Sequence, residues 1–184
     1  MGHLAKNQGD DLSLHAIGEQ SVLRVPPRSD KQHFSRFLHG LTQINCSGKW
    51  PEFGKIEKRL HSRKAKELLL FISDFHEQDS ELFQFISKQK TPGNEVVAIQ
   101  LVGERELELN FRQTVSLEDL ETGEVIRLNP DEVQPADIQA IENKHNILKK
   151  ELLNKRVEYH RIRMDALLED SLTAFLKSRN RLVR

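Results

Sequence analysis

The apolar positions of this chain fall into short runs separated by polar stretches, and the spacing inside each run points to an element. Leu68-Leu69-Leu70-Phe71-Ile72 is continuous and only five residues long. A strand buried on both faces by helices needs such a run, whereas a half-exposed strand would alternate, and five residues are too few for a helix. Leu82, Phe83, Phe85 and Ile86 then step at helical spacing towards a stop at Pro92-Gly93, and Val96 to Val102 makes a second apolar run. Strand, helix, strand at this spacing predicts a βαβ unit with parallel strands and a right-handed crossover, hence an open α/β sheet.

The flanking segments add to this frame. Met1 to Gly9 reads as the last turns of a helix, with Gly9 in the left-handed stop position. Asp11 to Gln20 and Ser21 to Val25 alternate as the strands of a hairpin about Gly18, with Pro26-Pro27-Arg28 ending the second strand. Phe34, Phe37, Leu38 and Leu41 predict a surface helix packed by one face after a cap at Ser29 or Asp30. Asn45 to Gly54 reads as a loop, and Ile56 and Leu60 belong to a short basic helix running through Lys64. Thr114 to Leu117 and Val125 to Leu128 flank Glu121-Thr122-Gly123-Glu124 as a small hairpin. Ile138, Ile141, His145, Leu148 and Leu152 predict a long amphipathic helix from Pro135 to Asn154. Val157 to Ile162 is one more strand, and Asp165 is expected to cap a last helix carrying Leu168, Leu172, Phe175 and Leu176.

Length and charge narrow the picture. The 184 residues suit one domain, residues 1–184, and the 28 basic and 28 acidic side chains cancel, leaving no global field that would draw the protein onto nucleic acid or an anionic membrane. Partner choice must come from local patches. The lone Cys46 excludes an internal disulfide framework and any zinc site built on cysteine pairs, and reads as a small hydrophobe. No apolar stretch is long enough for a membrane helix and the N-terminus carries no signal-peptide core, so a cytoplasmic location is expected.

Candidate chemistry centres on Ser73-Asp74, immediately after the first apolar strand, because open α/β sheets collect ligands beyond the carboxyl ends of their strands. The Asp74 carboxylate is suited to an octahedral Mg²⁺ shell, and equally to capping the next helix or satisfying loop amides. His76 and Glu77 follow, so a metal-dependent hydrolase using Asp74, His76 and Glu77 is an alternative, although no helical His-Glu-x-x-His pattern supplies further ligands. Asp11-x-Ser13-x-His15 alternates with Leu12, Leu14 and Ala16 as an ordinary strand does. Glycine-rich nucleotide-binding loops and a nucleophile elbow are absent from the sequence. Basic residues gather at Lys55, Lys58, Arg59, Arg63, Lys64 and Lys66 and again at Lys177, Arg179, Arg181 and Arg184, without the interleaved aromatics of a nucleic-acid surface, so solvated helix faces are the preferred reading. Trp50, beside Pro51 and Phe53, is either a contact anchor or a lid over the core.

The order of these signals carries a resemblance. Gly9-Asp10 before a strand, Pro26-Pro27-Arg28, Ile72-Ser73-Asp74-Phe75, Glu95-Val96-Val97, Glu106-Leu107-Glu108-Leu109, the Glu118 to Glu124 turn and Phe175-Leu176-Lys177-Ser178-Arg179 together resemble the bacterial family called domain of unknown function fifty-eight. The resemblance implies a Rossmann-like, von Willebrand A-type open sheet with helices on both faces, and a MoxR-type AAA ATPase as partner. It also implies a metal-ion-dependent adhesion site in which Asp74 is the one matching ligand, because the Asp-x-Ser-x-Ser loop and the later threonine have no counterpart here. On this reading the chain begins where the family's first helix should end, so the first strand is missing and a sheet edge is left open to a partner or a second copy. The expected function is a non-enzymatic interaction or adaptor domain, with Trp50, Ser73, Asp74, Phe75 and His76 at the contact.

Overall fold

The computed structural model describes residues 1–19, 22–45, 50–51, 66–76, 81–103, 115–118, 125–128 and 135–182. The chain forms two compact units, Met1–Leu60 with Asp119–Gly123, and His61–Glu118 with Glu124–Arg184.

The first unit contains helix α1 (Gly2–Gln8), strands β1 (Leu12–Ile17) and β2 (Val22–Arg28), and helix α2 (His33–Thr42). Gly9 ends α1 at φ 76°, and its N–H and that of Asp10 return to the carbonyls of Lys6 and Ala5, the double closure that a left-handed residue permits. β1 and β2 pair antiparallel as predicted. The second strand does not stop before its prolines: it runs through Pro26-Pro27 to Arg28. Between the pairs Leu12 with Arg28 and Leu14 with Val25, β2 holds one residue more than β1. A bulge of this kind takes up the ladder bonds that proline cannot make.

α2 packs on this hairpin by a different face from the one its leucines suggested. His33 and Gly40 are buried, whereas Leu38 and Leu41 are exposed. His33 donates from Nε2 to the Leu12 carbonyl at 2.5 Å, pinning the helix start to β1. A Cβ on Gly40 would stand 2.8 Å from Val25 Cγ2 and 3.2 Å from Leu14 Cδ2, so the helix can lie this close only with glycine there. Asp30 opens the segment by accepting the Gln32 N–H at 3.0 Å, one turn ahead of the helix proper.

The second unit is built on three parallel strands in the order β3 (Glu67–Ser73), β4 (Asn94–Val102), β7 (Glu158–Arg163), with helices α3 (Glu81–Gln89), α4 (Pro135–Asn154) and α5 (Leu168–Leu182). β5 (Val115–Glu118) and β6 (Val125–Leu128) pair antiparallel as a separate two-stranded sheet. Register partners in a sheet share a face, which sorts the strand residues into two sets. Phe71, Ala98, Gln100 and Tyr159 lie on one face, where Phe71 meets Phe85 of α3 edge to face at 5.9 Å and Gln100 meets His145 of α4. Val97, Ile99 and Ile162 lie on the other, packed with Phe175 of α5. Helices therefore lie on both faces of this sheet, and the second unit is α/β.

The expectation that β3 is buried on both faces does not hold. Leu68 is 42% and Ile72 63% exposed. Both stand on the α5 side of the sheet, and α5 sits over β4 and β7 with only Leu70 of β3 at its margin. Among the described residues β3 is hydrogen-bonded to one neighbour, β4, so an apolar run suited to a central strand stands at the margin of the described sheet. Asp165 also departs from expectation. Instead of capping α5, which starts at Leu168, it binds Arg163 through two bonds, Nε to Oδ1 at 3.1 Å and Nη2 to Oδ2 at 2.8 Å. The short basic helix near Ile56 and the turn Glu121-Thr122-Gly123-Glu124 lie outside the described residues.

α4 ends without a glycine. Arg156 takes φ 60°, its N–H returns to Leu153 at 2.9 Å and that of Val157 to Leu152 at 3.0 Å, and the buried side chains of Leu152 and Val157 belong to the same closure. Arginine is strained in this conformation and glycine is not. Arg156→Gly is therefore expected to stabilise the protein by about 1 kcal/mol and raise the thermal midpoint by about 3 °C in a calorimetric scan. A lower midpoint would show that the arginine side chain holds the closure by some other contact.

Candidate functional site

Parallel strands bring their carboxyl ends to one edge, so Ser73, Val102 and Arg163 finish β3, β4 and β7 on the same side of the sheet. From this edge the chain leaves β3 by a tight turn. Asp74 Oδ1 accepts the His76 N–H at 3.2 Å, Ser73 Oγ accepts the Phe75 N–H at 3.2 Å, and the Ser73 hydroxyl donates to Asp74 Oδ1 at 3.4 Å. Phe75 sits at φ 61° with its ring buried. Left-handed backbone at an aromatic residue costs on the order of 1 to 2 kcal/mol, which burial of a phenyl ring is large enough to offset. The turn is thereby anchored by the side chain that strains it.

A second anchor reaches the turn from below. Gln100, 2% exposed in the middle of an apolar strand, donates from Nε2 to the main-chain carbonyl of Asp74 at 2.9 Å. Its Oε1 accepts the Tyr159 hydroxyl at 2.5 Å and the Nδ1–H of His145 at 3.1 Å. Burial raises the Tyr159 pKa and keeps its hydroxyl protonated as a donor. One glutamine side chain thus joins β3, β4, β7 and α4 beneath the Asp74 carbonyl.

The Asp74 carboxylate itself is about half exposed, with His76 Nδ1 3.4 Å from Oδ2. The side-chain hydrogen bond from His76 is the main cause holding the Asp74 pKa below its ordinary value of 3.8, with burial opposing it. A depressed folded-state value means that the stabilisation is present above the unfolded pKa and is lost as pH falls through the folded one. Asp74→Asn is accordingly expected to flatten the acid limb of stability below pH ~4, measured as urea midpoints between pH ~2 and ~6. An unchanged acid limb would mean that the pairing contributes nothing in solution.

Mg²⁺ requires more than this turn supplies. Among the described residues no three His, Cys, Asp or Glu side chains are grouped to hold a metal ion. Both Asp74 carboxylate oxygens already face His76, and a single carboxylate is one corner of an octahedron. The described residues therefore do not make a metal centre.

Of the residues expected at the contact, Ser73, Asp74, Phe75 and His76 form the one turn, with Asp74 and His76 outward and the Phe75 ring inward. Trp50 belongs to the first unit and is half-buried. Glu77 lies outside the described residues, as do Lys55, Lys58, Arg59, Arg63 and Lys64 of the first basic cluster, and Arg184 of the second. In the second cluster Arg179 turns to the protein: it binds Glu95, pairs with Glu158 at 3.5 Å and stacks 5.9 Å from the Phe175 ring centre. Gln100, Tyr159 and the role of His145 were missed by sequence reasoning. The signal available was Gln100 interrupting an apolar run and His145 interrupting an apolar helical stripe, since a polar residue at a core position demands a partner.

A parallel sheet between helices, with a polar turn built at its carboxyl edge, makes the second unit α/β in architecture. The chain belongs to the family described as Protein of unknown function DUF58, whose family model matches residues 1–147. No curated protein and no solved structure matches the chain. The family match ends within α4, so β7 and α5 lie beyond the matched residues.

Proposed function

We propose that this chain is a non-enzymatic interaction domain that docks a protein partner on the carboxyl edge of its sheet, around Asp74. The observation that supports this most directly is the construction of the turn. A strained, buried Phe75 and a buried Gln100 network fix the backbone, while the outward side chains are an ionised carboxylate and an imidazole. Preorganised polar groups on a rigid edge lower the ordering cost of binding. Family membership is what suggests a MoxR-type AAA ATPase as the partner, in an adaptor or assembly role. Among the described residues β3 pairs with β4 alone, and a strand with one open side offers a second mode of contact by strand addition.

Isothermal titration of the full chain with a purified MoxR-type ATPase, with and without Mg²⁺, tests the reading. Binding by the wild type that weakens at least about tenfold in Asp74→Ala is the expected result, a loss of about 1.4 kcal/mol. Equal binding by both forms, or none by either, would remove it. The described residues contain no helix long and apolar enough to cross a membrane.

A further inference from the structure

Beyond the turn, the same edge carries an apolar lip. Met164 and Leu167 occupy the short connection from β7 into α5, Leu168 is the first residue of that helix, and the three are 64, 73 and 64% exposed. Ile72, also exposed, ends the apolar run of β3 two strands away, a separation of about 10 Å. Large apolar side chains scattered singly over a surface are ordinary, but three within five residues at one strand end are not. The connection is fixed in place: the Met164 N–H donates to the Val102 carbonyl at 2.9 Å, and the Arg163 guanidinium grips Asp165 beside it. This hold on Asp165 also lowers its pKa.

The charges around the lip choose the partner. Exposed Glu169 and Asp170 open α5 directly after Leu168, and Asp74 stands at the β3 end of the edge. Asp165 already neutralises Arg163, so among the described residues the outward charge next to the lip is acidic. We propose that Met164, Leu167 and Leu168, rimmed by Glu169, Asp170 and Asp74, bind a basic amphipathic segment of a partner protein, its apolar side chains on the lip and its Lys or Arg side chains on the rim. This rests on the carboxyl-edge reading above and supplies the chemistry of the partner. Apolar anchors give such a contact its lifetime, and the acidic rim gives it a salt-sensitive on-rate and rejects acidic segments.

The probe is a fluorescein-labelled Leu/Lys amphipathic peptide of roughly five helical turns, compared by anisotropy with its Leu/Glu counterpart on the full chain. The expected result is saturable, salt-weakened binding of the Leu/Lys peptide only, reduced at least about tenfold by Leu167→Ser with Leu168→Ser. Glu169→Lys with Asp170→Lys should shift preference towards the Leu/Glu peptide. Met164→Gln, nearly isosteric and at an exposed site, provides a milder variant should the double serine change fail to fold. Equal binding of the two peptides, no binding of either, or unchanged affinity in the lip variants overturns the proposal. So does concentration-dependent sedimentation that the lip variants abolish, which would assign the lip to a second copy of the chain. ATPase binding that is lost in Asp74→Ala but untouched by the lip variants would defeat this proposal while keeping the docking edge.

Discussion

Replacing Gln100 with leucine is expected to lower the free energy of unfolding by about 3 kcal/mol, although the two side chains are of similar size. The cost arises in the partners. The Tyr159 hydroxyl loses its acceptor at 2.5 Å, the His145 Nδ1–H loses its acceptor at 3.1 Å, and the Asp74 carbonyl loses its donor at 2.9 Å. A buried polar group deprived of its partner forfeits about 1 to 3 kcal/mol, and only part of the sum returns through the apolar character of the leucine. Urea denaturation should show a lower midpoint at an unchanged slope. A loss below about 1 kcal/mol would mean that solvent enters and satisfies these groups, and that the turn is not held from beneath. Gln100→Leu with Tyr159→Phe should recover part of the loss, because the second change removes a stranded donor.

Phe85→Ala should be the more damaging substitution, at about 4 kcal/mol. Phe85 is fully buried on α3 and meets Phe71 edge to face, so truncation removes both a phenyl ring from the core and the aromatic pair that seats α3 on β3. Against a typical domain stability of about 5 to 15 kcal/mol, a loss of this size leaves a marginal fold. Thermal unfolding would reveal it as a large fall in midpoint. A fall as small as that of an exposed substitution would place α3 away from the sheet in solution. The two variants separate two roles: Phe85 bears on whether the unit folds, Gln100 on how firmly the folded unit holds the Asp74 turn.

Several elements of both units were legible because each rests on local pattern. The apolar runs at Leu68 to Ile72 and Val96 to Val102 became parallel strands, the stripe from Ile138 to Leu152 became α4, and Gly9 closed α1, since spacing and conformational freedom act within a few residues. Asp74 was placed correctly at a strand end for the same reason. Other features were not legible because they depend on which elements meet. Nothing in Leu68 or Ile72 says that α5 stops short of them. Similarly, nothing in Leu38 or Leu41 says that α2 turns His33 and Gly40 to the hairpin instead. The left-handed backbone and buried ring of Phe75 were likewise not legible, since burial depends on distant neighbours.

What the sequence determined by itself is the alternation of strands and helices, the parallel α/β class of the second unit and the position of Asp74 beyond a strand. These follow from periodicity, which is a local property of the chain. Tertiary structure alone decided the rest. Gln100, His145 and Tyr159, separated by 45 and 59 residues from the glutamine to its two partners, form one network because β4, α4 and β7 converge beneath the turn. The lip at Met164, Leu167 and Leu168 is exposed because α5 packs by Phe175, further along the helix, and leaves its first turn at the sheet edge uncovered. Burial is assigned by neighbours that lie far away in the chain, and no window of sequence contains them.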